Sequence, residues 1–321
     1  MGIYSVGRRV ATGMLFVLTL SSAYAADDYP SHPLRIVVPN SGGTIPDAVA
    51  RIMAEGMSKE LGQTVYVENK PGGAQIIGYE FAANSEPDGY TLVSTLSSEL
   101  ALLPLLNKSL RFDPWKDLPP LVGIGEATLM VGTSSESKWN TLKEMMDYGK
   151  AHPGELNFGS SSPGIRLPMI ALLKHYGVDA VDIQYKGGAP FQTALISNEV
   201  DIGFMPEASA LTHGDRYRAL AVTSPKRLPT FPDAPTFAEL GVPNIPSNSY
   251  SLNVPKGLPD DVETKLRTAI SDTLKDPTVR KRLEQMHLQI NERSSEEAQK
   301  LLEQHIKIYS DMAKRAGLKP Q

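Results

Sequence analysis

Short apolar runs alternate along the chain with segments in which apolar residues recur at helical spacing. Residues 34–38 form an apolar run of strand length, and residues 47–61 carry apolar side chains every three or four positions. Similar pairs recur until the last part of the sequence, where helical segments follow one another. Because strands that alternate with helices build mainly parallel sheets with helices on both faces, the pattern predicts an α/β protein.

The predicted elements cover most of the chain after residue 33. Strands are predicted at residues 34–38, 65–67, 91–94, 121–124, 129–131, 156–158, 183–185, 200–204 and 251–254. Helices are predicted at residues 47–61, 76–83, 141–152, 167–176 and 259–274, after Pro190, from Pro277 and after a capping sequence at Ser294. A proline-rich stretch at residues 225–246 is suited to carry the chain between two domains.

The loop between the first predicted strand and helix consists of small polar residues. Such residues let a ligand approach the backbone, and the free N–H groups at the start of the next helix carry partial positive charge. Pro46 suits the first turn of that helix, and Asp47 either caps it or balances its dipole. The loop is therefore an anion-binding site or an ordinary strand-to-helix turn, and its residues are Asn40, Ser41, Gly42, Gly43 and Thr44.

Charge and hydrophobicity at the N-terminus together predict an export signal. Arg8 and Arg9 precede an apolar run that is too short to span a membrane comfortably, and residues 23–25 give a small-x-small cleavage pattern. We therefore expect residues 1–25 to be a signal peptide that is cleaved near Ala25, with the mature protein exported. General secretion is favoured over the twin-arginine route, because the residues around the two arginines fit that pattern poorly.

Composition excludes several classes of function. The chain has no cysteine, which rules out disulfides, cysteine-ligated metals and a thiol nucleophile. A net charge of −4 with both signs interspersed indicates no nucleic-acid or membrane-surface partner. The six histidines show no pair at metal-ligand spacing, and no glycine pattern extends to a nucleotide-binding motif, so we predict no metal and no cofactor. The mature length of roughly 295 residues suggests two domains.

One segment raises a catalytic alternative. Residues 159–163 approach the nucleophile-elbow pattern of α/β hydrolases, but Pro163 occupies the position of the last glycine. Neither the acid nor the histidine of a triad can be assigned from the sequence. An exported α/β hydrolase that acts on a small ester or amide is therefore the alternative function.

An ordered set of short motifs resembles a known family over essentially the whole mature chain. It is similar to the extracytoplasmic solute receptors of tripartite tricarboxylate transporters, often called the Bug family. The motifs are weak individually and specific as a series; they lie at residues 39–51, 71–72, 87–91, 112–117, 152–161, 185–190, 220–224, 227 and 232–236.

The resemblance implies a type II periplasmic binding protein with two α/β lobes and a ligand cleft between them. Lobe one would comprise residues 26–127 and 247–321, and lobe two residues 128–246. It also implies a monomeric, non-enzymatic receptor that closes over a small organic acid, often a dicarboxylate, and presents it to the membrane permease subunits of the transporter.

Members of the family bind carboxylates largely through backbone and hydroxyl groups of small loops. Loops of that kind follow predicted strands here, which is where open α/β sheets bind ligands. The predicted ligand-binding residues are Asn40, Ser41, Gly42, Gly43, Thr44, Gly73, Ala74, Thr95, Ser97, Ser98, Ser160, Ser161, Ser162, Arg166, Tyr185 and Met205.

Departures from the family pattern bear on the ligand. Ala74 and Gln75 replace two common glycines, Arg166 adds a charge to a loop that is usually small and neutral, and Met205 replaces a frequent aspartate. A guanidinium can grip a carboxylate with two hydrogen bonds and can stack on an aromatic ring, whereas the loss of the aspartate removes a partner for a ligand ammonium. These changes favour aromatic dicarboxylates over acidic amino acids. The alternative is that Arg166 is solvated or paired with a surface carboxylate.

Overall fold

The computed structural model describes residues 1–2, 29–242 and 245–317. The predicted cleavage site and nearly all of the predicted signal peptide lie outside these residues. In the part of the chain that the structure describes, no helix combines the length and hydrophobicity that a membrane span requires.

Strands and helices alternate through most of the described chain. The strands are β1 (Leu34–Val38), β2 (Val65–Asn69), β3 (Thr91–Leu96), β4 (Pro120–Ala127), β5 (Leu129–Ser134), β6 (Leu156–Ser160), β7 (Ala180–Gln184), β8 (Ile202–Pro206), β9 (Tyr217–Val222), β10 (Asn248–Asn253) and β11 (Leu288–Arg293). The helices are α1 (Ile45–Leu61), α2 (Ile76–Ala83), α3 (Ser97–Leu106), α4 (Leu142–Ala151), α5 (Pro163–Tyr176), α6 (Gly188–Ile196), α7 (Glu207–His213), α8 (Asp260–Lys275), α9 (Pro277–Gln285) and α10 (Ser295–Ala316).

The strands form two separate sheets, one in each of two lobes. The sheet of lobe one has the order β11-β4-β10-β3-β1-β2, and the sheet of lobe two has the order β7-β6-β8-β5-β9. This arrangement confirms the predicted two-lobed α/β fold. The lobe boundaries at residues 127/128 and 246/247 stay predictions.

Both sheets are mixed, so the prediction of mainly parallel sheets was wrong. β1 runs parallel to β2 and β3, and β6 runs parallel to β7 and β8. β10 pairs antiparallel with β3 and β4, and β5 pairs antiparallel with β8 and β9. The physical reason is that β5 and β10 enter their sheets from the other lobe rather than through a local crossover helix.

Two connections between the lobes lie side by side. β4 ends at Ala127 and β5 begins at Leu129, so the first crossing is as short as one residue. The second connection enters lobe one at β10, which begins at Asn248, and Ser247 Oγ just before it lies 3.4 Å from Thr223 Oγ1, which accepts from Leu129 N–H at 3.1 Å. These hydrogen bonds hold the second connection against the first.

Helix α10 also crosses between the lobes. Leu302 packs in a core cluster of lobe one, whereas Tyr309 and Met312 pack in the main core of lobe two. Helix α10 begins with the predicted capping box, in which the Ser294 side chain accepts from Glu297 N–H and the Glu297 side chain accepts from Ser294 N–H. The C-terminal helix is therefore a third physical link between the two lobes.

Apolar periodicity explains how the helices pack. Met53 and Met57 on α1, like Met145 and Met146 on α4, are at most 1% exposed and fill the cores. Each such side chain contributes roughly 1.5–3 kcal/mol by leaving water. Helix α1 then ends at Gly62, whose φ of 64° is the left-handed conformation that glycine adopts without strain.

Candidate ligand-binding cleft

A cleft of about 1120 Å³ separates the two lobes. Lobe one contributes the first residues of α1, α2 and α3 to its walls, and lobe two contributes the first residues of α5 and α6. These helix N-termini follow the carboxyl ends of β-strands, the position at which α/β sheets bind ligands. Each end carries partial positive charge from free N–H groups, so several weak positive poles face the same space.

The loop before α1 is held in place by hydrogen bonds to Asp47. Asp47 accepts hydrogen bonds from Gly43 N–H at 2.9 Å, from Asn69 Nδ2 at 2.9 Å and from Arg51 Nε at 3.1 Å. Burial alone would raise the pKa of Asp47, but these hydrogen bonds hold it below its ordinary value. Within the described residues, the backbone N–H groups of Thr44 and Ile45 have no hydrogen-bond partner. They are fixed donors that remain available to an anion.

Only part of the predicted loop reaches the cleft. Gly43 and Thr44 line it, whereas Ser41 and Gly42 are exposed outside the cleft wall. The Asn40 side chain does not line the cleft either, because its amide donates to Glu99 Oε1 at 3.1 Å. Three of the five residues predicted in this loop therefore do not line the cleft.

The loop before α2 has an unusual backbone. Gly72, Gly73, Ala74 and Gln75 have φ angles of 122°, 57°, 51° and 71°, and the last three line the cleft. A left-handed conformation costs a residue with a Cβ atom roughly 1–2 kcal/mol. Ala74 and Gln75 therefore adopt a backbone conformation that favours glycine, and the loop stores strain at the cleft.

The region before and at the start of α3 divides between cleft and interior. Ser98 lines the cleft, but the side chains of Thr95 and Ser97 do not. Thr95 Oγ1 lies 2.8 Å from Asn253 Oδ1 within the sheet, and Ser97 Oγ accepts from Ser249 N–H at 3.1 Å. Both hydroxyl groups therefore form hydrogen bonds with residues of β10.

Glu99 also lines the cleft, and the sequence analysis did not identify it. Its Oε1 accepts from Asn40 Nδ2 at 3.1 Å, and its Oε2 accepts from the Tyr79 hydroxyl at 2.7 Å. Burial raises the pKa of Glu99 above its ordinary value, although both hydrogen bonds oppose the rise. The sequence signal that could have identified Glu99 is its position as the single acidic residue in the otherwise apolar segment 99–106.

In lobe two, Ser160, Ser161 and Ser162 line the cleft, and their binding of a ligand stays a prediction. They lead into α5, which begins with Pro163, and the Ser162 side chain does not cap that helix. Among the described residues, the N–H groups of Ser161, Ser162 and Gly164 have no hydrogen-bond partner. This segment thus offers hydroxyl and amide donors opposite those of α1.

Arg166 faces the cleft and is also paired. Its Nε donates to Asp182 Oδ2 at 2.5 Å, and its side chain is 31% exposed. Neither terminal guanidinium nitrogen has a hydrogen-bond partner in the part of the chain that the structure describes. One edge of the guanidinium therefore pairs with Asp182 while the terminal nitrogens are available, and the ligand role of Arg166 stays a prediction.

The two remaining predicted residues differ in position. Tyr185 lines the cleft, and its hydroxyl donates to Glu199 Oε1 at 3.3 Å. Met205 is fully buried in a core cluster with Met130 and Phe191 and does not line the cleft. Met205 is therefore not part of the cleft wall, whereas the adjacent Pro206 is.

Comparison with known proteins identifies the family. The family of tripartite tricarboxylate transporter receptors matches residues 49–318. The chain belongs to this family. BugT of Bordetella pertussis is 32% identical over 280 residues, which span 85% of this chain and 86% of BugT. The resemblance to tripartite tricarboxylate transporter receptors seen in the sequence is thereby confirmed.

Solved structures give the same relationship. Rpa4515 of R. palustris, solved with adipate, superposes with a TM-score of 0.82 and 25% identity over 92% of this chain and 100% of its own. MatC from Rhodopseudomonas palustris, solved with bound malate, superposes with a TM-score of 0.77 and 26% identity over 88% and 99% of the two chains. The tripartite tricarboxylate transporter receptors are periplasmic solute-binding proteins, and this chain is one of them.

Proposed function

We propose that the mature protein captures a small organic carboxylate in the cleft between its lobes and presents it to the membrane permease of a tripartite tricarboxylate transporter. It acts as a monomer, without a cofactor and without nucleic acid, and it binds its ligand rather than transforming it. Residues 1–25 direct it to the periplasm and are removed near Ala25. Closure of the lobes over the ligand follows from contacts that only the closed state makes.

The observation that carries the proposal is the set of unpartnered donors on opposite walls. The N–H groups of Thr44 and Ile45 belong to lobe one, and those of Ser161, Ser162 and Gly164 belong to lobe two. Fixed neutral donors stabilise an anion well because they need no reorganisation when it arrives. A carboxylate that contacts both sets favours the closed arrangement of the lobes.

Dicarboxylates are the first class to test. The terminal nitrogens of Arg166 suit a second carboxylate, and an aromatic ring can stack on the guanidinium plane. The binding of adipate by Rpa4515 and of malate by MatC also supports a dicarboxylate.

The hydrolase alternative depends on a base beside a cleft serine. Within the described residues, no histidine bonds to Ser160, Ser161 or Ser162. A serine–histidine contact does occur, since His305 Nδ1 lies 2.8 Å from Ser97 Oγ. That pair is buried behind the cleft wall, where a substrate has no access.

A thermal-shift screen of the purified mature protein against carboxylates tests the proposal. Succinate, malate, adipate, phthalate and terephthalate are compared with their monoacid analogues and with uncharged amides. At a ligand concentration of 100 Kd, binding adds about 2.7 kcal/mol to the free energy of unfolding. If no organic acid stabilises the protein while a small ester is turned over, the hydrolase alternative replaces the receptor.

A further inference from the structure

Glu99 places a carboxylate at the wall of a cleft that otherwise offers hydrogen-bond donors. Its two oxygens accept from Asn40 Nδ2 at 3.1 Å and from the Tyr79 hydroxyl at 2.7 Å. Both donors are neutral groups, and Tyr79 is fully buried. The side chain is thereby fixed in position before any ligand arrives.

The charge on Glu99 has no counter-charge. Of the cleft-lining side chains in the described ranges, only Glu99 and Arg166 carry a formal charge, and Arg166 is already paired with Asp182. Tyr250 also lines the cleft, and the residue is 5% exposed. A carboxylate that leaves water without a cationic partner is unfavourable, and two neutral hydrogen bonds compensate only in part.

We propose that Glu99 holds a positively charged nitrogen of the ligand, so that the ligand carries an ammonium group in addition to its carboxylate. The inference rests on the proposed function, because it assigns the ligand carboxylate to the donors of α1 and α5. It adds a second, oppositely charged subsite at the start of α3. Glu99 is then the residue that selects between zwitterionic and purely anionic ligands.

The surroundings of Glu99 fit such a ligand. Leu102 and Leu103 extend the wall from Glu99 along α3, and Leu129 and Ile165 lie on the lobe-two side. This apolar surface suits a hydrocarbon body between the two charged ends. The absence of an acidic residue at Met205 therefore does not exclude an ammonium, because Glu99 supplies a carboxylate from another element.

Calorimetry with matched ligand pairs tests the role of Glu99. Each pair differs only in an ammonium group: L-glutamate and glutarate, L-phenylalanine and 3-phenylpropionate, 4-(aminomethyl)benzoate and 4-methylbenzoate. In the wild type we expect at least one ammonium-bearing member to bind tenfold or more tightly than its partner. In Glu99→Gln the shape and one acceptor oxygen remain while the charge is lost, and the preference should disappear.

Glu80→Gln is the control, because it removes the same charge from α2 of the same lobe outside the cleft. Circular dichroism verifies that both variants are folded. A stronger preference for the ammonium-free members, or a preference that survives in Glu99→Gln, overturns the role of Glu99 while leaving the receptor function intact. Failure of every carboxylate to bind overturns the receptor function as well.

Discussion

Gly164 at the start of α5 faces Ser98 at the start of α3, and a Cβ atom on Gly164 would lie 3.4 Å from Ser98 Oγ. These residues belong to opposite lobes, so their separation limits how closely the lobes approach at this point of the cleft. An alanine fits at ordinary van der Waals distance, whereas a longer side chain does not.

A substitution series at Gly164 therefore measures lobe closure. We expect Gly164→Ala to keep ligand affinity within about threefold and Gly164→Leu to weaken it by roughly 1–3 kcal/mol through overpacking. The melting temperature of the ligand-free protein should change little in either variant. Equal affinity for the alanine and leucine variants in calorimetry would show that the two residues are not compressed when the ligand binds.

The hydrogen bonding of Asp47 to the loop before α1 gives a second prediction. Asp47→Ala removes the carboxylate that accepts from Gly43 N–H, Asn69 and Arg51 and should cost about 2 kcal/mol of unfolding free energy. Ligand affinity should fall at least tenfold, because the donors of Thr44 and Ile45 lose their fixed position.

Asp113→Ala is the matched control for that experiment, since Asp113 accepts from Trp115 and Lys116 N–H groups in a turn outside the cleft. Urea denaturation measures stability, and calorimetry measures binding. The interpretation is wrong if the two variants weaken binding to the same extent.

Acid stability should depend on His305. Burial, together with the nearby positive charge of Arg293, lowers the pKa of His305 from 6.5 to about 4 in the folded protein. The folded state then binds fewer protons than the unfolded state, so stability is fully present above pH 6.5 and is lost as the pH falls towards 4. The lost contribution is about 3 kcal/mol.

We therefore expect His305→Gln to be less sensitive to acid than the wild type, because glutamine can still accept the Ser97 proton but does not titrate. The measurement is the urea midpoint of both proteins at intervals between pH 7.5 and 4.5. Parallel curves over this range would contradict a buried neutral histidine.

Substitutions of Arg166 and Asp182 should change dicarboxylate affinity in opposite directions. Arg166→Ala should lose roughly 2–5 kcal/mol of binding free energy with a diacid and much less with its monoacid analogue. Asp182→Asn should retain or improve diacid affinity, because it releases the Nε edge of the guanidinium from its ion pair. Small and equal losses with both ligands in Arg166→Ala would limit the arginine to a structural role.

The strained loop before α2 gives a stability prediction. Replacing Ala74 or Gln75 by glycine removes the cost of a left-handed conformation but adds entropy to the unfolded chain. We expect each substitution to raise the free energy of unfolding by about 1 kcal/mol. Thermal denaturation in the absence of ligand measures this effect, and a lower melting temperature in both variants would show that the side chains make compensating contacts.

Local signals were sufficient to predict much of the fold. The strand at residues 34–38 and the helix at residues 76–83 have the bounds that periodicity predicted, and the capping box at Ser294 is present. In contrast, α3 was missed, because it is apolar on nearly all sides and contains Pro104. β11 was missed because its alternating polar residues belong to a half-exposed edge strand.

The same causes limit what the sequence could predict about the site. The fold places the carboxyl ends of its strands at the cleft, so the small residues there reach it, as Gly43, Thr44 and Ser160 do. The direction of each side chain does not follow from it, and Thr95 therefore bonds within its sheet. Glu99 could not be assigned without first recognising that α3 begins beside it.

The crossing of α10 has a consequence for the order of folding. The sheet of lobe two is complete in sequence at Val222, yet its core also contains Tyr309 and Met312 from the far end of the chain. Lobe one in turn needs β10 and β11. A chain synthesised from its N-terminus can therefore complete neither core until its last helix has been made.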